Sequence, residues 1–473
     1  MTSDAAAAAA DSRRALSIGL VLTVSIAAFE ALAVATVLPE TVREIGGLEW
    51  YGWAFTGFLL ANLAGIPLAG EAADRRGPAP PFVAGVLLFG IGLGVAGSAH
   101  SMLVLVAGRV LQGAGGAALS AVSYVAVARA YPAEAQPRMM AMLSSAWVIP
   151  GLFGPALAAA VARSLGWRFV FLGLVPVTLA AGGFALPGLR ALGSPADPGK
   201  AARSTRVRDA ALLALGVAFA LLGARSAALA AALEPELGSR PGPLVALAAL
   251  GLALAGTALA LRSLLRLLPP GTLRARAGLP AALAVQALLN FAFFAVEAFL
   301  PLALMELRGA DTTLVAASLT AGTLAWTTGS WIQARAAPRV SRRRLLEVGL
   351  ALLLAGVAAA TAVLSPAAAP ALALPAWAMA GLGIGIAYPT ATLAIFEGAP
   401  PGREGEVSAT MQVANALAIA IGTGLGADLI ARVAPTNGSP ALGIALVDAA
   451  SLVACGLALV AARGIAEPRT VGC

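Results

Sequence analysis

Glu30 is the one charged residue in the 24-residue run Ala15–Leu38. A helix rises about 1.5 Å per residue and about 20 residues cross the hydrocarbon of a bilayer, so Glu30 falls near mid-membrane. Its helical neighbours at three and four residues, Ile26, Ala27, Ala33 and Val34, offer no partner. An ionised carboxylate in that setting is expensive unless it is paired or hydrated. Two chemistries suit it: loading and releasing a proton or touching a substrate, or a structural pairing with an arginine on another helix. A second lone acid, Glu297, sits in Phe294-Ala295-Val296-Glu297-Ala298-Phe299, and a lone cation, Arg109, lies in a third apolar run. Arg109 needs a carboxylate or a carbonyl, and Glu30 is the obvious candidate. Backbone carbonyls alone would make it structural.

The rest of the chain says what kind of element holds these groups. Of 473 residues, 59% are hydrophobic and 11% charged, and the mean hydropathy is +0.88. Soluble proteins carry about 25% charged residues, so this composition is that of an all-α polytopic membrane protein. Fourteen apolar spans can be drawn, from 15–38 through 139–162, 209–232, 243–264 and 312–334 to 440–462. The formal charge of +8 does not indicate nucleic acid, because the basic residues lie between spans and are not interleaved with aromatics. Two cysteines, Cys455 and Cys473, are too few for a disulfide framework, and the single His100 excludes a His-rich metal site. No GxxxxGK[ST] loop is present, so ATP is not the energy source. No cofactor is expected and no enzymatic chemistry is visible. Arg13-Arg14 before the first run imitates a signal peptide, but the run is too long and contains Glu30, so it reads as an uncleaved span.

Charge orients the spans. Of the 31 Arg and Lys residues, 23 fall on one side when the N-terminus is placed in the cytoplasm and 6 on the other, with Arg109 and Arg225 inside spans. This bias puts both termini on the cytoplasmic side of a cell membrane. The chain also repeats. Gly113-Ala114-Gly115, Pro132, Gly154 and Leu157 recur 268 residues later at Gly381-Leu382-Gly383, Pro400, Gly422 and Leu425, and Glu30 recurs 267 residues later as Glu297. The expected architecture is two pseudo-symmetric six-helix bundles, 1–190 and 277–473, separated by linkers and two inserted, peripheral helices within 191–276.

Three motifs stand in order on the right spans. They are Gly70-x-x-x-Asp74-Arg75-x-Gly77 after the second, Arg109-x-x-Gln112-Gly113-x-Gly115 in the fourth, and Pro150-x-x-x-Gly154-Pro155 in the fifth. Together they resemble the major facilitator superfamily, most closely its fourteen-span drug:proton antiporters, over the whole chain. The resemblance implies that Asp74 and Arg75 belong to a gating loop controlling a rocking motion. It implies that Arg109 takes part in proton relay beside the first span, and that the Gly154-Pro155 element belongs to antiporters. Glu30 and Pro39 keep a nine-residue spacing at which that branch commonly has Asp and Pro. Two departures stand out: Pro78-Ala79-Pro80-Pro81 replaces the basic residues that usually follow Gly77, and Ala158-Ala159 stand where two glycines are usual.

The expected function is a proton-coupled secondary transporter that exports lipophilic or cationic small molecules by alternating access, acting as a monomer in the lipid bilayer. Glu30 would carry the proton and Glu297 would read substrate charge. The alternative is a proton symporter importing a polar metabolite, which calls for more hydrogen-bonding groups in the cavity. Asp428 and Asp448 are expected to pair helices, and Gln286, Asn290, Gln412 and Asn415 are candidates to line a cavity. The charge bias predicts that a cysteine placed at Lys200 is labelled by impermeant maleimide in inside-out vesicles and not in intact cells; labelling from outside intact cells would reverse the topology.

Overall fold

A computed structural model of the chain describes residues 3–131, 139, 142–143, 146, 148–193, 205–237, 243–400, 404–437 and 439–465. Pro132, Lys200, Cys473 and parts of the expected span 139–162 lie outside these. Fourteen helices of 18 residues or more are described: α1 Ser3–Ile45, α2 Trp53–Arg76, α3 Ala79–Gly97, α4 Met102–Ala130, α5 Val148–Leu165, α6 Leu174–Ala191, α7 Thr205–Leu237, α8 Pro243–Leu267, α9 Leu279–Leu302, α10 Thr312–Ala336, α11 Arg342–Ala362, α12 Ala373–Glu397, α13 Glu404–Asn437 and α14 Ala441–Ala462. Among the described residues, 12 of them are long and apolar enough to cross a membrane. The two others are α5, whose apolar stretch Ile149–Leu165 is short, and α10, which is rich in Thr and Ser. The hydroxyls of α10 bond back to carbonyls four residues earlier, as Ser318 does to Leu314 at 2.8 Å and Thr328 to Leu324 at 2.9 Å.

The chain divides into two compact units, one of residues 1–50 and 57–214 and the other of residues 51–56 and 215–473. The division falls inside α7. In the first unit α1 packs on α4, α5 and α6, and α3 on α4 and α6; in the second α9 packs on α12, α13 and α14, and α11 on α12 and α14. Glycines at repeat-related positions meet equivalent neighbours. A Cβ on Gly113 would collide with the Phe58 backbone of α2, and one on Gly381 with the Gly322 backbone of α10. Gly115 lies against the Gly85 carbonyl and Phe89 of α3, and Gly383 against the Gly349 carbonyl and Leu353 of α11. Gly154 faces Phe29 and Leu32 of α1, and Gly422 faces Phe291 and Ala295 of α9. Small residues let helix backbones approach where lipid supplies no hydrophobic drive for association. The helices α7 and α8 use the same device, with Gly216 and Gly223 against Ala260 and Ala253.

The gating stretch differs from the sequence expectation. α2 runs through Asp74 and Arg75 to Arg76, and the turn shrinks to Gly77 and Pro78 before α3 begins. Gly77 stops the helix because its φ of 82° is left-handed, a conformation glycine adopts without a Cβ clash. Gly70 lies inside α2 with open space where a side chain would go, so it serves no close approach here. Gly113→Ala and Gly381→Ala are therefore expected to lower the stability of the detergent-solubilised protein by about 1–3 kcal/mol each. Gly70→Ala should leave stability unchanged or raise it by about 0.5–1 kcal/mol. Thermal melts that rank Gly70→Ala below the other two would contradict this packing.

Candidate functional site

In the first unit three buried polar side chains, Glu30, Arg109 and Gln112, come together. α1 carries Glu30 and α4 carries Arg109, with Gln112 one turn further along the same face of α4. The depth of Arg109 is set by its neighbour Gly108, which lies against the Gly92 carbonyl and Ala96 of α3 with no room for a Cβ. Arg109 Nη1 donates to Glu30 Oε1 and, at 2.8 Å, to Gln112 Oε1. The guanidinium carbon stands 4.4 Å from the centre of the Phe58 ring, a cation–π contact. Glu30 is 1% exposed, Arg109 2% and Gln112 0%. Two atoms of this cluster, Glu30 Oε2 and Gln112 Nε2, are buried with no hydrogen-bond partner among the described residues.

The pairing of Glu30 with an arginine on another helix suits both sequence readings of Glu30. Gly154 and Pro155 border the same helix: Gly154 lies near Phe29 and Leu32, next to Glu30, and Pro155 stands inside α5, where it has no N–H to offer Gly151.

In the second unit Glu297 occupies the repeat-related position on α9. It is half-buried and has no hydrogen bond or ion pair among the described residues. The repeat explains why. The residue 268 positions beyond Arg109 is Trp377, so the cation that partners Glu30 in the first unit is replaced by an indole. Trp377 stacks on Phe293 at 4.6 Å between ring centres, and Phe293 meets Trp326 edge-on at 5.3 Å. Phe294 and Tyr388 extend the group, each tilted against Trp326 at 6.0 Å and 5.7 Å. Sequence reasoning missed this aromatic cluster; its signal was that aromatics make up only 5% of the chain, yet Phe293 and Phe294 lie one turn from the lone acid.

The remaining candidates sort themselves by geometry. Asn290 and Asn415 are brought together at 3.2 Å, while Gln412 joins no hydrogen bond among the described residues. Asp448 is buried on α14, and the Thr361 hydroxyl of α11 donates to the Val357 carbonyl of its own helix at 2.9 Å. Asp428 pairs within its own helix, with Arg432 at 2.8 Å, and so does not pair helices through that bond. In the gating stretch Arg75 pairs with Glu71 at 3.0 Å, and Asp74 is exposed with no partner among the described residues. A contact absent from the sequence reading ties the ends of α1 and α5: Glu44 accepts from Trp167 Nε1 at 2.8 Å and pairs with Arg168. Among the described residues no group of His, Cys, Asp and Glu could hold a metal ion.

Solved structures share this fold. The solved POT family transporter PepTSo superposes with a TM-score of 0.63 at 14% identity, covering 94% of this chain and 97% of that one. The human organic anion transporter MFSD10 (TETRAN) does so with a TM-score of 0.59 at 17% identity, covering 96% and 99%. At these identities the likeness is one of fold. Multidrug resistance protein 3 of Bacillus subtilis (strain 168) is 29% identical over 160 residues, 34% of this chain, and the match spans only 31% of that protein. A "Probable multidrug-efflux transporter" of Mycobacterium tuberculosis (strain ATCC 25618 / H37Rv) is 30% identical over 414 residues, 82% of each chain. The family model described as Major Facilitator Superfamily matches residues 20–423, and the chain belongs to that family.

Proposed function

We propose that this chain is a proton-coupled exporter of lipophilic or cationic small molecules, working by alternating access in a cell membrane with both termini in the cytoplasm. The observation that carries the reading is the buried Glu30–Arg109–Gln112 cluster, in which one carboxylate oxygen has no partner among the described residues. A carboxylate held this way has a ready route between two states: paired with Arg109 when ionised, and released from it when protonated. Substrate entry that draws Arg109 or Glu30 toward water, or a proton that neutralises Glu30, would each weaken the pair. Competition between the two is sufficient for antiport. Glu297, with no cation beside it and aromatic rings one turn away, suits a substrate that is apolar and positively charged. Multidrug-efflux relatives in the same family support export.

The proposal extends to architecture. α5 and α10 complete the set of spans to fourteen, as two six-helix bundles with α7 and α8 inserted between them; the equivalent glycine contacts of the two units support this layout. The import alternative draws on the amides Gln286, Asn290 and Asn415, which supply more hydrogen-bonding capacity than an apolar cavity needs. The direction of substrate movement in inverted vesicles separates the two.

Glu30→Gln is expected to abolish drug-driven proton movement in reconstituted vesicles while leaving measurable binding, and Glu30→Asp should retain part of it. Normal proton movement in the Gln variant would remove Glu30 from the mechanism. Asp74→Asn should slow turnover severalfold without changing binding affinity, because Asp74 is exposed at the end of α2 and far along that helix from the buried cluster. A weakened affinity with unchanged turnover would place Asp74 in binding instead.

A further inference from the structure

α9 carries Gln286, Asn290 and Phe294 at four-residue spacing, so one stripe of the helix presents two amides and a ring. The two amides use their bonding capacity differently. Asn290 Nδ2 donates to the Gln286 carbonyl at 2.7 Å and to Asn415 Oδ1 at 3.2 Å. Asn290 Oδ1 accepts nothing among the described residues. Asn415 Nδ2 in turn reaches the Tyr388 hydroxyl oxygen only at 3.4 Å. The Gln286 side chain is 0% exposed, and neither its Oε1 nor its Nε2 has a partner among the described residues. Buried amides are almost always hydrogen-bonded, so one with both ends unmet marks a position whose partner comes from outside the fold.

We propose that Gln286 and Asn290, with Asn415 and Tyr388 beside them, form a subsite for the carboxamide of an aromatic ligand, whose ring is taken by Trp326 and Phe294. The unspent capacity fits that group. Gln286 Oε1 and Asn290 Oδ1 accept from the ligand N–H groups, and Gln286 Nε2 donates to its carbonyl. Trp326 lies 6.0 Å from Phe294 and 5.7 Å from Tyr388, so the three rings touch and form one aromatic surface against which a planar body can pack. Entry parts the links at 3.2 and 3.4 Å, which are at the long, weak end of hydrogen bonding. Asn415, Tyr388, Trp326 and Phe294 are part-exposed and form the accessible side of the subsite, while Gln286 lies behind them. The subsite rests on the reading that this chain binds and moves small molecules, and it adds neutral aromatic amides to the lipophilic cations.

Binding is measured by calorimetry on the full chain in lipid nanodiscs. The probes are naphthamide, methyl naphthyl ketone (a methyl in place of the amide nitrogen) and tetraphenylphosphonium. The wild-type chain should bind naphthamide about tenfold more tightly than the ketone, the preference of a site left with unpaired polar groups by the analogue. Gln286→Leu and Asn290→Leu should each reduce that preference to about twofold or less. Tyr388→Phe removes a single oxygen and keeps the ring; it should lower the preference severalfold. Retained tetraphenylphosphonium binding shows that a variant is folded, and the wild-type comparison and Tyr388→Phe decide the matter where a leucine variant is not. Equal wild-type affinity for amide and ketone, or a preference that survives all three substitutions, overturns the subsite. An amide preference without drug-driven proton movement upholds the subsite and removes proton coupling. Proton movement driven by tetraphenylphosphonium without an amide preference does the opposite.

Discussion

Inside a bilayer no water is at hand to satisfy a buried charge, and the first unit is arranged around that constraint. Removing one partner from a buried ion pair typically destabilises by about 3–5 kcal/mol, because the survivor is left uncompensated. Glu30 and Arg109 therefore need one another where α1 meets α4, and losing either would strand the other. The glycines around them follow from the same need. Gly108 and Gly92 bring α3 and α4 to backbone contact, which sets how deep Arg109 sits, and Gly113 does the same between α4 and α2. Gln112 then takes up a second hydrogen bond from the guanidinium, and Phe58 covers its face.

The second unit answers the constraint differently. α9 also carries a lone acid, 267 residues beyond Glu30, but the residue 268 beyond Arg109 is Trp377, packed on Phe293. An indole fills the volume and contributes no charge. Glu297 is left half-buried and unpartnered among the described residues, with aromatic rings nearby and a line of amides further along α9. Two positions 267 residues apart thus hold a paired acid in one unit and, among the described residues, an unpaired acid in the other.

Hydroxyl groups show how far local chemistry alone can satisfy the membrane interior. α10, drawn as a span from the sequence, is less apolar than the twelve candidate spans among the described residues; Ser318, Thr323, Thr327 and Thr328 bond to carbonyls of their own helix, and Ser330 bonds to the Gly385 carbonyl of α12 at 3.2 Å. Amides have no such escape. Asn290 closes one bond to its own helix and must find the rest elsewhere, and Gln286 finds none among the described residues. Asn290 thus depends on tertiary contact, where most hydroxyls of α10 are met within their own helix.

What was legible in the sequence is what can be read residue by residue. Apolar length and charge placement identified a polytopic membrane protein, the sites of most helices and the lone charges Glu30, Arg109 and Glu297. Fixed offsets exposed the repeat, because Gly113 with Gly381 and Gly154 with Gly422 keep their spacing whether or not the chain is folded. Tertiary structure decided what those groups meet. It paired Glu30 with Arg109, left Glu297 beside rings, joined Asn290 to Asn415 and not Gln412, and carried α2 through Asp74 to Arg76. The reason is geometric: a side chain's neighbours depend on how each helix is rotated and how closely it crosses the next, and those are set by small residues on several helices at once. No single stretch of sequence contains that information, because each close crossing needs a glycine on one helix and a matching backbone on another.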